Sequence, residues 1–220
     1  MIFKNVTKLV VLLVTGLLPL YSYAAVQIEV KNKSLTEIIW SDGNSLEIRI
    51  DQEPIYTLVN ASQRHLYKIN TKEKKILNLS DNVKQAPHIP DVEGISIDYV
   101  LHGAGPVILG FDTELYLLKV NDDICRSEYL VKSDVELTNI LPGLGLMMEY
   151  KINTTFRDLP EDLDLCFVAN HLAYKRYGKY GFPIKSEDQF GKVQFELISI
   201  KKDAENPVGN FHLPDNYISN

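Results

Sequence analysis

The stretch Leu46–Leu79, which in context is SLEIRIDQEPIYTLVNASQRHLYKINTKEKKILNLS (residues 45–80), decides the fold. Apolar and polar residues alternate along it, as in a strand with one buried face. The residues expected on the inner face are Leu46, Ile48, Ile50 and Leu58. Turn-forming segments interrupt the alternation about every ten residues. The stretch therefore predicts a meander of three or four antiparallel strands.

Further strands are predicted on both sides of this meander. VQIEV (26–30) and LTEIIW (35–40) precede it, and two hairpins follow, with turns at Asn121 and Asp188. Apolar residues at helical spacing predict the main helix over Glu161–Tyr177. The sequence thus predicts an α+β fold, mainly antiparallel β, whose sheet is covered by one or two helices.

The run Ile140–Met148 (ILPGLGLMM) is the most apolar surface candidate outside the N-terminal segment. A capping box before it predicts a helical turn or two, which Pro142 and its neighbouring glycines are expected to interrupt. Two roles stay open for the run: a core-covering helix, or an adaptable lip that fits apolar ligands. The candidate ligand-binding residues are Leu144, Leu146, Met147, Met148 and the single tryptophan, Trp40.

Residues 1–24 have the three parts of a secretory signal. Lys4 and Lys8 form the positive end, an apolar run covers Leu9–Leu18, and small residues precede a cleavage site after Ala24, with Ala25 as the close alternative. An uncleaved membrane anchor is disfavoured, because the apolar run is shorter than the ~20 residues that span a bilayer. We therefore expect a periplasmic or secreted protein that is soluble after cleavage.

The mature chain is expected to form a single β-rich domain over residues 25–220. Cleavage would leave 196 residues and, because it removes two lysines and no acidic residue, would change the formal net charge from −6 to −8. That length suits one domain with its own core. An acidic chain disfavours nucleic acid and anionic lipid as partners, since both select clustered Lys and Arg.

Cys125 and Cys166 are the two cysteines of the chain. In an oxidising compartment the economical prediction is a disulfide between them, and the alternative is two reduced, buried thiols. Closing this loop would restrict the unfolded chain by about 4 kcal/mol in the entropic description.

No sequence motif assigns a catalytic residue, a metal ligand or a cofactor. None of the five histidines stands at metal-ligand spacing from another, and the signatures of serine hydrolases and zinc proteases are missing. The chain is therefore predicted not to be an enzyme. A triad assembled from distant segments stays open, because neighbours in space need not be neighbours in sequence.

Four short segments together resemble a known group of proteins. They are YKIN (67–70) with Lys74-Lys75, the hairpin from Gly110-Phe111 to Cys125, GFPIK (181–185) and FHLPDNY (211–217). This combination resembles a family of uncharacterised bacterial envelope domains, of unknown function, that is related to the LolA-like lipoprotein-carrier fold. The resemblance implies an unclosed half-barrel whose concave face is covered by helices and can hold an acyl chain. It implies no catalytic residues.

Three functions follow as hypotheses. The first is a periplasmic carrier or sensor of an apolar ligand, held in the half-barrel. The second is a non-enzymatic interaction module of the envelope, which would use an exposed sheet edge or apolar patch. The third is a hydrolase without a sequence signature. A deep apolar cavity between sheet and helices would favour the first.

Overall fold

The computed structural model describes residues 25–84, 96–155, 164–205, 207 and 210–219. The predicted signal segment, residues 1–24, lies outside the described residues, as do the first residues of the predicted main helix.

Twelve described strands form one sheet. They are β1 Ala25–Asn32, β2 Leu35–Ser41, β3 Ser45–Ile50, β4 Ile55–Asn60, β5 His65–Asn70, β6 Lys75–Asn78, β7 Ile97–Ala104, β8 Glu114–Val120, β9 Asp123–Val131, β10 Phe182–Asp188, β11 Val193–Ala204 and β12 Ile218–Ser219. Their order is β12-β6-β5-β4-β3-β2-β1-β11-β10-β9-β8-β7. All neighbours are antiparallel except β12 and β6. Since β7 and β12 do not pair within the described residues, the sheet is unclosed, and the predicted mainly antiparallel α+β class is confirmed.

The meander consists of β3–β6, whose strands begin at residues 45, 55, 65 and 75 and so follow the predicted spacing. Asn side chains close two of its three turns: Asn60 Oδ1 accepts from the backbone N–H of Gln63 at 2.9 Å, and Asn70 Oδ1 accepts from that of Glu73 at 3.0 Å. These are the local bonds that favour Asn in turns.

The prediction of Leu58 as an inner residue was wrong. Leu46 packs in the main core, whereas Leu58 is buried in a separate cluster on the other face of the sheet. The connection between β3 and β4 adds four residues, and Thr57 rather than Leu58 follows Ile55 on the inner face. Phe211 and Tyr217 of the C-terminal segment cover this outer cluster.

Four described helices accompany the sheet: α1 Asp81–Lys84, α2 Val135–Thr155, α3 Leu165–Leu172 and α4 Tyr174–Tyr180. The predicted interruption at Pro142 was wrong, because α2 runs through it without a break. Pro142 is exposed, while Leu137, Ile140 and Leu146 on the same helix are buried against the sheet. Burial of this face offsets the backbone hydrogen bond that proline removes.

The predicted main helix is two consecutive helices, α3 and α4, with a turn at Ala173 and an end at Tyr180. Asp164 caps α3 by accepting from the backbone N–H of Cys166 at 2.9 Å. The predicted disulfide is confirmed: Cys125 and Cys166 are bonded, with their Cα atoms 5.1 Å apart. The bond fastens α3 to β9.

Candidate functional site

A cavity of about 580 Å³ lies between the sheet and the helices. Its walls include residues of β5 and of β9, which are seven strand positions apart in the sheet. In a flat sheet those strands would be about 33 Å apart. The sheet therefore curves around α2, and the register shifts in β9, β10 and β11 are of the kind that bends a sheet.

One side of the cavity wall is apolar. Alternation along the strands places every second residue on the concave face, and the helix α2 faces them from the other side. The apolar lining residues are Ile28, Val30, Ile39, Ile48, Ile50, Ile55, Pro183 and Phe195 from the sheet, and Leu141, Leu144, Met147 and Met148 from α2. Such a wall suits a ligand with a hydrocarbon portion.

The candidate ligand-binding residues divide into three groups. Leu144, Met147 and Met148 line the cavity. Leu146, on the neighbouring face of α2, is buried in the main core. Trp40 is not among the lining residues, since its neighbour Ile39 faces the cavity and Trp40 points to the opposite face of β2. On this one helix, therefore, one face packs in the core and another lines the cavity.

One wall of the cavity is polar. Asn170, Tyr174 and Tyr177 recur four and three residues apart along α3 and α4 and all line the cavity. Arg126 of β9 and Ser186 of β10 stand beside them. Sequence reasoning missed this wall, although one signal was present: Asn170 interrupts the apolar face of the predicted helix.

Arg126 is held by a buried network. It forms an ion pair with the fully buried carboxylate of Glu128, and its Nη2 donates to Tyr177 Oη at 2.6 Å. Tyr177 donates to Glu128 Oε1 at 2.7 Å, and Tyr99 donates to the other oxygen. Burial, followed by the nearby negative charge of Glu128, raises the pKa of Tyr99, and burial also raises that of Tyr177. Both tyrosines therefore stay protonated as donors.

Four polar atoms on this wall are buried and have no hydrogen-bond partner in the described parts of the chain. They are Arg126 Nε, Asn170 Oδ1, Tyr174 Oη and Ser186 Oγ. Burial raises the pKa of Tyr174 to about 12, so its hydroxyl is neutral at physiological pH. Ser186 is 1% exposed. Buried polar atoms usually have hydrogen-bond partners, so each of these four needs an explanation.

Charged side chains line another part of the cavity. Glu53, Lys68 and Lys151 are exposed to solvent and also border the cavity, together with Glu37. These exposed residues mark where the cavity meets solvent.

The described ranges contain no cluster of three or more His, Cys, Asp or Glu side chains arranged to hold a metal ion. Among the described helices, none has the length and apolar character to cross a membrane. In comparisons with known proteins, no family model matches the chain. No curated protein matches it either.

Proposed function

We propose that the protein is a non-enzymatic binder that holds an apolar ligand, a lipid or an acyl chain, in the cavity of a LolA-like half-barrel and carries or senses it. The observation that supports this most directly is the apolar lining from β1–β4, β11 and α2. A volume of about 580 Å³ falls within the ~300–1,000 Å³ typical of small-molecule sites.

The energetics of the lining favour a hydrocarbon chain over a polar solute. Transfer of an alkyl chain from water to such a wall contributes about 0.8 kcal/mol per CH₂. Met147 and Met148 are unbranched and flexible, so they can adjust to chains of different length. The site therefore suits a class of apolar ligands rather than one exact shape.

A periplasmic or secreted location belongs to the same proposal. The Cys125–Cys166 disulfide supports it, because structural disulfides persist mainly in oxidising compartments. The secretory features of residues 1–24 support it independently.

The test is displacement of a neutral fluorescent probe, phenylnaphthylamine, together with native mass spectrometry of the purified protein. Ligand binding should give a probe signal that dodecanol reduces, and co-purified lipid should appear as a mass increment. The double variant Leu144→Trp/Met148→Trp fills the cavity and should weaken probe binding by about tenfold or more, a loss of about 1.4 kcal/mol or more.

Val135→Trp is the matched control, since Val135 is on the same helix, is 72% exposed and does not line the cavity. It should bind the probe as the unmodified protein does. Absence of both probe binding and co-purified lipid would overturn the proposal, as would equal effects of the two tryptophan variants.

The edge of the sheet favours a second candidate function, an interaction module of the envelope. Among the described strands β7 ends the sheet, and Val100 and Leu101 on it are 43% and 51% exposed. An unpaired edge with exposed apolar side chains can accept a strand from another protein. Crosslinking from position 100 in envelope extracts should then capture a specific partner, and Val100→Lys should abolish the capture.

A further inference from the structure

The polar wall of the cavity carries information about the ligand's head group. Ser186 Oγ, Asn170 Oδ1, Tyr174 Oη and Arg126 Nε are buried, line the cavity, and have no partner within the described residues. They come from two strands and two helices, so no single turn or local motif explains them. An unpaired buried polar atom destabilises the fold unless something supplies its hydrogen bond.

The charge of the wall does not favour an anionic head group. Arg126 is the only cation on the polar wall among the described residues, and the buried carboxylate of Glu128 already neutralises it. Elsewhere on the lining, the two lysines Lys68 and Lys151 are equal in number to the two glutamates Glu37 and Glu53, and His171 is also a lining residue. A carboxylate head group would therefore bring an uncompensated negative charge close to Glu128, and burial of such a charge is unfavourable.

The unpaired atoms also offer both hydrogen-bonding roles. Arg126 Nε can only donate, and Asn170 Oδ1 can only accept. The hydroxyls of Ser186 and Tyr174 can do either. A head group that both donates and accepts, such as a hydroxyl or a glycerol ester, satisfies such a set, whereas a bare carboxylate leaves Asn170 Oδ1 unpaired.

We propose that the cavity selects a neutral, single-chain amphiphile with a hydroxyl or glycerol-ester head, and discriminates against the free acid of the same chain. The head group hydrogen-bonds Ser186, Tyr174, Asn170 and Arg126, and the chain lies along α2. This inference rests on the proposed function and adds the chemical class of the ligand.

The test compares four competitors of equal chain length for displacement of phenylnaphthylamine: dodecanol, monolaurin, dodecanoic acid and dodecane. At about pH 8 the acid is ionised. Dodecanol and monolaurin should displace the probe at concentrations about tenfold lower than the acid or the alkane require, because only they supply neutral hydrogen-bonding groups.

Two variants and a matched control test which side chains cause the preference for dodecanol over dodecane. Ser186→Ala and Tyr174→Phe each remove one unpaired hydroxyl, so each should reduce the preference for dodecanol over dodecane by about threefold to fivefold. The melting temperature of Ser186→Ala should not fall, because no protein hydrogen bond is lost. Ser80→Ala is the control: Ser80 is also buried, but its hydroxyl bonds the backbone of Leu66. It should lower the melting temperature and leave the preference unchanged.

The outcomes separate this inference from the proposed function. If the acid or the alkane displaces the probe as well as dodecanol does, the head-group inference is overturned and the apolar-ligand proposal stands. If Ser186→Ala and Tyr174→Phe keep the full preference for dodecanol over dodecane, these two hydroxyls do not bind the head group, and the inference is overturned. If the probe itself does not bind, both proposals fail.

Discussion

At the residue scale, Gly143 sets how closely α2 approaches the sheet. A Cβ atom at this position would overlap the side chain of Leu46 on β3. Gly143 is buried and Leu46 is 1% exposed, so neither can move into open space. The glycine is needed here for close packing rather than for an unusual backbone angle.

We expect Gly143→Ala to lower the free energy of unfolding by about 1–3 kcal/mol, as overpacking of a core does. Gly145→Ala is the matched control two residues along α2, where the nearest atom to an added Cβ is 3.8 Å away in Tyr174. It should be neutral or stabilising by up to about 1 kcal/mol, because alanine favours helix. Urea unfolding measures both, and equal effects would contradict the packing explanation.

Glu47 is a second residue whose burial has a measurable effect. Its side chain is fully buried on β3, and its Oε2 has no partner in the described chain. Arg49 donates to the other oxygen at 2.6 Å. Burial nevertheless raises the pKa of Glu47 above its ordinary value of 4.5, since the hydrogen bond and charge of Arg49 only partly oppose it.

This raised pKa predicts the sign of a pH effect. Between 4.5 and the raised value, the folded state binds more protons than the unfolded state, so this group's contribution to stability falls as the pH rises through that window. Glu47→Gln lacks the effect. As the pH rises from about 4 to about 7, the unfolding free energy of the variant should therefore increase relative to that of the unmodified protein, as measured by urea unfolding. Glu73→Gln, at an exposed turn, is the control, and a difference independent of pH would contradict the prediction.

At the scale of elements, the disulfide joins β9 to α3 and so supports the polar wall. Cys125 is buried in a cluster that also contains Leu118, Leu130 and Ala169. Apart from this bond, α3 is held to the sheet mainly by that cluster. Loss of the bond should therefore loosen α3 and with it the position of Asn170.

We expect Cys125→Ala/Cys166→Ala to lose about 2–4 kcal/mol of unfolding free energy, as is typical for removal of a disulfide. Reductant should shift the unfolding of the unmodified protein in the same direction and leave the variant unchanged. If reductant has no effect on the unmodified protein, the bond does not contribute to stability.

The elements that sequence reasoning predicted well are those with local signals. β3–β6 have alternation and Asn-containing turns, and both are visible in the sequence. The helix α2 was underestimated because Pro142, Gly143 and Gly145 have low helix propensity. The packing that overrides this propensity is with β3, β4 and β10, which are distant in the chain. Local sequence does not encode that packing.

The candidate site was predictable only in part, for a related reason. Leu144, Met147 and Met148 are conspicuous because they are consecutive or nearly so in an apolar run. The polar wall combines residues such as Arg126, Ser186 and Tyr174 from three separate segments, and none is unusual in its own segment. Only the fold brings them together, so only the structure could identify them.

At the scale of the whole molecule, two meanders are joined along one seam. β1–β6 form the first and β7–β11 the second, and in the described part of the chain they are joined by the pairing of β1 with β11. The concave face of the first meander is covered by α2, which belongs to the second part of the chain. The first half therefore does not bury its apolar face alone.

We expect a fragment of residues 25–84 to lack cooperative unfolding by circular dichroism, since Ile28, Ile39 and Leu46 would be exposed without α2. Mixing it with residues 96–220 should restore the transition. The same mixture with Ile140→Asp in α2 is the control and should not recover it. Cooperative unfolding of the short fragment by itself would show that the first meander is an independent unit.

The seam has a consequence for the time course of synthesis. Ile28 pairs with Ile200, so β1 leaves the ribosome long before its partner strand exists. At about 5–20 residues per second, β11 follows about 10–30 s later. During that interval one edge of β1 has no partner and can pair with another nascent chain. A chain kept unfolded until its full length has been delivered across a membrane avoids this interval, since both strands then become available together.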